Sequence, residues 1–156
     1  MSEVQLLEPV RTEITVPLAP NTAFELFTAG LDTWWVRGHQ IGTAPLRRAV
    51  LEGREGGRWY EIDEDGSECD WGRVLVCEPP ARLVLAWQIN ADWKYDKDLV
   101  TEVEIVFTDL GNGSTRVNLE HRNMERFGAS AQKMQQTFNG PNAWQGLLRA
   151  YADALR

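Results

Sequence analysis

The sequence predicts an α+β domain, with helices laid across one face of an antiparallel sheet. Three observations carry this. Apolar and polar residues alternate with period two through a series of segments in the middle of the chain, which argues for strands. Asp65-Gly66 and Asn112-Gly113 punctuate that block, and both dipeptides tolerate the positive φ of a tight hairpin. Helical spacing is confined to the stretches before and after it. Consecutive hairpins make an antiparallel meander, and strands segregated from helices belong to the α+β class.

The elements follow in order. Residues 11–18 (RTEITVPL) alternate, are rich in β-branched side chains, and predict a first strand. Pro20 suits the first turn of a helix, along which Ala23, Phe24, Phe27 and Leu31 recur at helical spacing. Trp34 and Trp35 close that region as a plug for one end of the core. Strands are then predicted over 46–53, 58–63, 68–77, 82–90, 100–109 and 115–122, with Glu78-Pro79-Pro80-Ala81 interrupting the ladder because proline donates no hydrogen bond. Leu83, Leu85, Trp87 and Ile89 share one parity, as do Val103, Ile105 and Phe107. Phe127, Ala131, Met134 and Phe138 return to helical spacing. Gly140-Pro141 breaks it, and Pro141 opens a last helix with a stripe of Trp144, Leu147, Leu148, Tyr151 and Leu155.

A chain of 156 residues suits one domain, spanning 1–156, with a sizeable core. A net charge of −7 argues against a nucleic-acid partner, which needs clustered Lys and Arg. No apolar run approaches the ~18 residues of a membrane span. Residues 1–16 carry Glu3, Glu8, Arg11 and Glu13, which predicts no targeting leader and residence in the cytoplasm. Cys69 and Cys77 fall on one predicted strand, ~26 Å apart at ~3.3 Å per residue, and are expected as free thiols. Seven tryptophans require a large core or a ligand-lined cavity.

The segments GGRWYEIDEDG (56–66), WGRVLVCEPPARLVLAW (71–87), EVEIVF (102–107), TRVNLEHRNMERFG (115–128) and AWQGLLRAYADAL (143–155) resemble, in order and spacing, a known family. It is the domain family related to the C-terminal part of the activator of the ninety-kilodalton heat-shock chaperone ATPase. That family belongs to the helix-grip superfamily, with START lipid-transfer domains, pollen-allergen-like proteins and polyketide cyclases. The resemblance implies a curved antiparallel sheet gripping a long C-terminal helix, with a cavity between them. Gly140-Pro141 departs from the pattern and should bend or split that helix.

A small apolar ligand, lipid-like or aromatic, is the function this implies, with Trp59, Trp71, Trp87, Val103, Ile105, Phe107, His121, Met134, Phe138 and Trp144 as its contacts. A chaperone partner met through the outer surface is one alternative. The other is a cyclase-, dehydratase- or hydrolase-like enzyme. His121 shares parity with Val117 and Leu119, so it is a hydrogen-bonded wall, a ligand contact, or an acid–base group with Tyr60, Glu61 or Asp70 as companions. No residue receives a catalytic role on spacing alone. No metal ligand set and no cofactor are expected, since zinc needs three or four convergent ligands. Trp93 and Tyr95, in a polar loop, are candidates for the cavity mouth or a partner surface. The chain is expected as a monomer or homodimer.

Overall fold

The computed structural model describes residues 7–154. Seven antiparallel strands form one curled sheet: β1 (Val10–Val16), β2 (Leu46–Leu51), β3 (Arg58–Asp63), β4 (Glu68–Glu78), β5 (Arg82–Trp87), β6 (Thr101–Gly111) and β7 (Ser114–Arg122). Their spatial order is β1-β7-β6-β5-β4-β3-β2, a meander whose last strand returns to pair with the first. Among the described residues four helices accompany it: α1 (Pro20–Phe27), α2 (Leu31–Trp34), α3 (Ala131–Phe138) and α4 (Trp144–Asp153). A 3-10 stretch, Met124–Ser130, leads into α3.

Local chemistry sets the turns. Asn112 and Gly113 both take positive φ, the twist that a two-residue hairpin requires, and Gly111 pairs with Ser114 across it. Gly72 occupies a bulge on β4, in register with both Trp59 and Trp87. A Cβ there would lie 1.7 Å from the Ala86 carbonyl oxygen, so only glycine lets β4 and β5 approach this closely.

Three elements differ from the sequence expectation. β5 ends at Trp87 rather than residue 90, because Asn90 turns the chain by accepting the Asp92 and Lys94 amides on its side chain; Ile89 keeps a single bridge to Tyr95. The helical spacing from Phe127 begins as 3-10, since Gly128 at φ 62° breaks the path. Gly140-Pro141 splits the terminal helix, and Pro141 sits in the turn before α4 instead of its first turn. Leu155 and the leader reading over residues 1–6 lie outside the described residues.

The concave face holds the core. At one end α1 and α4 fill it: Phe107 meets Phe24 at 5.1 Å and Phe27 at 5.8 Å, and the Tyr151 hydroxyl donates to the Ala23 carbonyl at 2.7 Å. At the other end, beyond β4 and β5, the helices leave space. No described helix is long and apolar enough to cross a membrane.

Candidate functional site

That space is a cleft of about 540 Å³. Its floor is Trp71, Trp87 and Ile89 from β4 and the end of β5; Trp144 and Leu147 of α4 and Phe138 of α3 form one wall. Trp35 and Gly38–Ile41 form the opposite rim, the turn 140–143 faces it, and Trp93 stands at the mouth. His39 Nε2 donates to the Asn142 carbonyl at 3.1 Å and ties the two rims together.

Five of the seven tryptophans line the cleft. Four of them direct their indole N–H groups into protein: Trp35 to the His39 carbonyl (3.0 Å), Trp71 to Glu61 Oε1 (2.8 Å), Trp87 to the Ile89 carbonyl (3.0 Å) and Trp144 to His121 Nδ1 (3.1 Å). With those donors bonded, these four tryptophans leave ring carbons to the cleft, whose lining also holds His39, Gln40, Thr137 and Asn142. Among the described residues no Asp, Glu, Lys or Arg lines it. Such a wall favours apolar contents and does nothing for a charged group.

Of the contacts expected from sequence, Trp71, Trp87, Phe138 and Trp144 line the cleft. Trp59, Val103, Ile105, Phe107, His121 and Met134 are buried in the core, outside its lining. The reason is packing: α1 covers Phe107, and Trp59 is enclosed by Trp35, Trp71 and Trp87. Trp35, Ile41 and the turn 140–143 complete the lining, and sequence periodicity marks none of them as a contact. Trp35 looks identical in pattern to its neighbour Trp34, which packs instead on Phe27 and Tyr151.

His121 lies behind Trp144 and is fully buried. Because Trp144 donates to Nδ1, the neutral ring carries its proton on Nε2, which donates to Thr101 Oγ1 at 2.8 Å; Thr101 passes its own hydroxyl proton toward the Trp87 carbonyl at 3.4 Å. Burial pushes the imidazole down to about 3. Both nitrogens are engaged, and protonating Nδ1 would oppose a donor. This geometry fits a hydrogen-bonded wall and supplies no acid–base group to the cleft. Glu61 bonds Trp71 instead, and Asp70 pairs with Arg58.

The fold does assemble a cluster that spacing did not reveal. Ligating atoms of Glu61, Asp63 and Cys69 lie within 4.8 Å of one another. Glu61 accepts from Trp71 Nε1, the Ile41 amide (2.7 Å) and the Gly42 amide (3.2 Å), so it braces both floor and rim of the cleft. Asp63 is buried, and neither carboxyl oxygen has a hydrogen-bond donor. Burial, and then the Glu61 carboxyl beside it, push Asp63 up to about 7. A proton on Asp63 removes one of two like charges in an apolar setting. Cys69, free like Cys77, has its thiol pushed up by burial and by these carboxyls.

These groups make stability depend on pH in opposite senses. Asp63 rises from 3.8 to about 7 on folding, so its contribution is full below about pH 4 and is lost as pH rises through 7. His121 falls from 6.5 to about 3, so its contribution is full above 6.5 and is lost as pH falls toward 3. Asp63→Asn is expected to be more stable than wild type at pH 8, by about 1–3 kcal/mol, and to lose stability more steeply on acidification. Urea midpoints at pH 8 and pH 5 check this; a constant offset between the two proteins would contradict it.

Comparison with known proteins places the fold. The solved structure of an anthrahydroquino-γ-pyrone synthase, Txn09, is 34% identical, covers 96% of this chain and 97% of its own, and gives a TM-score of 0.67. CalC from Micromonospora echinospora, a self-sacrificing resistance protein, is 31% identical over 94% of this chain and 92% of its own, with a TM-score of 0.67. An Hsp90 activator from Plasmodium falciparum is 16% identical over 96% of each chain, with a TM-score of 0.63, a likeness of fold alone. A search of curated proteins found no match. The family profile described as activator of Hsp90 ATPase homolog 1-like protein matches residues 17–152, and the chain belongs to that family, with the helix-grip fold.

Proposed function

We propose that this chain binds a small apolar molecule in the cleft between the sheet and its C-terminal helices. The observation that carries the reading is the wall itself: indole and phenyl carbon surfaces, with the N–H groups of four buried tryptophans already bonded behind them. A volume of about 540 Å³ falls within the ~300–1,000 Å³ of small-molecule sites. Two relatives above 30% identity, a pyrone synthase and a resistance protein, lend support, since the first is named for acting on a small molecule. The family description suggests a chaperone partner, a reading that leaves the aromatic cleft unused. An enzymatic role through His121 is disfavoured by its burial and its two occupied nitrogens.

The test is a thermal-shift panel of fatty acids and aromatic compounds. A ligand present at ~100 times its dissociation constant adds ~2.7 kcal/mol of apparent stability, a shift of several degrees for a chain of this size. At least one apolar compound is expected to reach this. A panel in which none moves the midpoint would remove the proposal.

A further inference from the structure

One cleft residue does not behave like the others. Trp93 has φ 60°, in the left-handed region that bulky side chains seldom occupy. The loop around it is built to hold that conformation. Asn90 Oδ1 accepts the Asp92 amide at 2.9 Å and the Lys94 amide at 3.1 Å. The Asn90 carbonyl accepts the Trp93 amide, and the Lys94 carbonyl accepts the Asn90 amide. The bridge between Ile89 and Tyr95 closes the base. Glycine or asparagine would sit at this tip without cost; here it carries the largest side chain.

That side chain is also the exposed one. Trp93 is 44% exposed, whereas Trp35, Trp71, Trp87 and Trp144 are each 7% exposed or less. Its indole lines the cleft mouth and touches Phe138 edge-on, at 6.3 Å and 80°. Local strain maintained at a site, by a residue that still leaves 44% of its surface open at the cleft mouth, points to use by something that arrives later. A flat ring system is what an indole covers most completely, by offset stacking.

We propose that Trp93 is the aromatic cover of the cleft and that the ligand is a planar, multi-ring aromatic molecule. This rests on the apolar-ligand reading above and narrows its chemical class. The ligand's inner edge meets Trp87 and Trp144, and its outer face lies under the Trp93 indole. Lipid chains and bulky saturated rings offer that indole no flat face and gain less from it.

The experiment measures dissociation constants of 1,8-dihydroxyanthraquinone and of 5α-androstane-3β,17β-diol, an uncharged and saturated four-ring compound, for wild type, Trp93→Gly, Trp93→Ala and Trp93→Tyr. Wild type should bind the anthraquinone at least ~10-fold more tightly than the androstanediol, and both Gly and Ala variants should lose roughly tenfold for the anthraquinone. Tyr should recover most of that loss. Without ligand, Trp93→Gly should unfold at or above the wild-type temperature, because it relieves the positive φ, and above Trp93→Ala, which does not. A residue serving only the fold would leave Trp93→Gly unfolding below wild type. Anthraquinone binding wild type and Trp93→Gly equally overturns this inference alone. Anthraquinone binding no tighter than the androstanediol to wild type overturns the ligand class. If wild type binds neither compound and nothing in the earlier panel, the apolar-ligand proposal falls and takes this one with it.

Discussion

Trp144→Ala is expected to lower the unfolding free energy by about 3–5 kcal/mol, the range for deleting a buried large aromatic. The residue is nearly fully buried at the start of α4 and packs on Trp87 at 5.7 Å, on His121 at 6.0 Å and on Trp35 at 6.4 Å. It joins the terminal helix to the sheet through those rings. Its indole also donates to His121 Nδ1, so the alanine variant leaves a buried acceptor unpaired as well as a cavity. Trp144→Phe separates the two effects: it restores most of the ring volume but not the N–H, and should recover more than half of the loss. Urea denaturation measures both. A Trp144→Ala midpoint equal to wild type would mean that α4 is held by other contacts.

The second large effect is expected from the smallest change. Gly72→Ala adds one methyl group at a point where it would sit 1.7 Å from the Ala86 oxygen and 2.8 Å from its carbonyl carbon. Both are backbone atoms of the neighbouring strand, so no side chain can swing aside. The strands must separate beside Trp71 and Trp87, two floor residues of the cleft, and the Gln88 amide to Trp71 carbonyl bond (2.8 Å) lies in that step. A cost of at least about 3 kcal/mol follows, or failure to fold. A folded variant of wild-type stability would show that the bulge at Gly72 relaxes freely.

Much of the fold was legible because its signals are local. Alternation placed all seven strands, Asn112-Gly113 placed a hairpin, and Gly140-Pro141 placed the break before α4. Boundaries were less legible where side chains compete with the ladder: Asn90 ends β5 by capping two amides, which periodicity does not register. The cleft was half legible. Parity puts Trp87 on the concave face and leaves Trp71 in competition with Val74; it also puts Ile105 and Phe107 there, and only the placement of α1 distinguishes the filled end from the open one. His121 shows the same limit. Its inward parity is visible in VNLEH, whereas the Trp144 indole that stands between it and the cleft comes from another element, 23 residues away. The Glu61–Asp63–Cys69 group arises from cross-strand register, Glu61 opposite Cys69, which no single segment encodes.

Seven indole N–H resonances make the central claim, an apolar aromatic cleft that binds a small molecule, directly measurable. A titration of ¹⁵N-labelled protein with 1,8-dihydroxyanthraquinone, followed by NMR and assigned by single Trp→Phe variants, reports on each indole separately. Trp35, Trp71, Trp87, Trp93 and Trp144 line the cleft and should shift together along one saturable curve. Trp34 and Trp59, buried outside its lining, should stay near their free positions. Shifts spread equally over all seven, or a titration in which the five cleft indoles do not move, would contradict binding at this site.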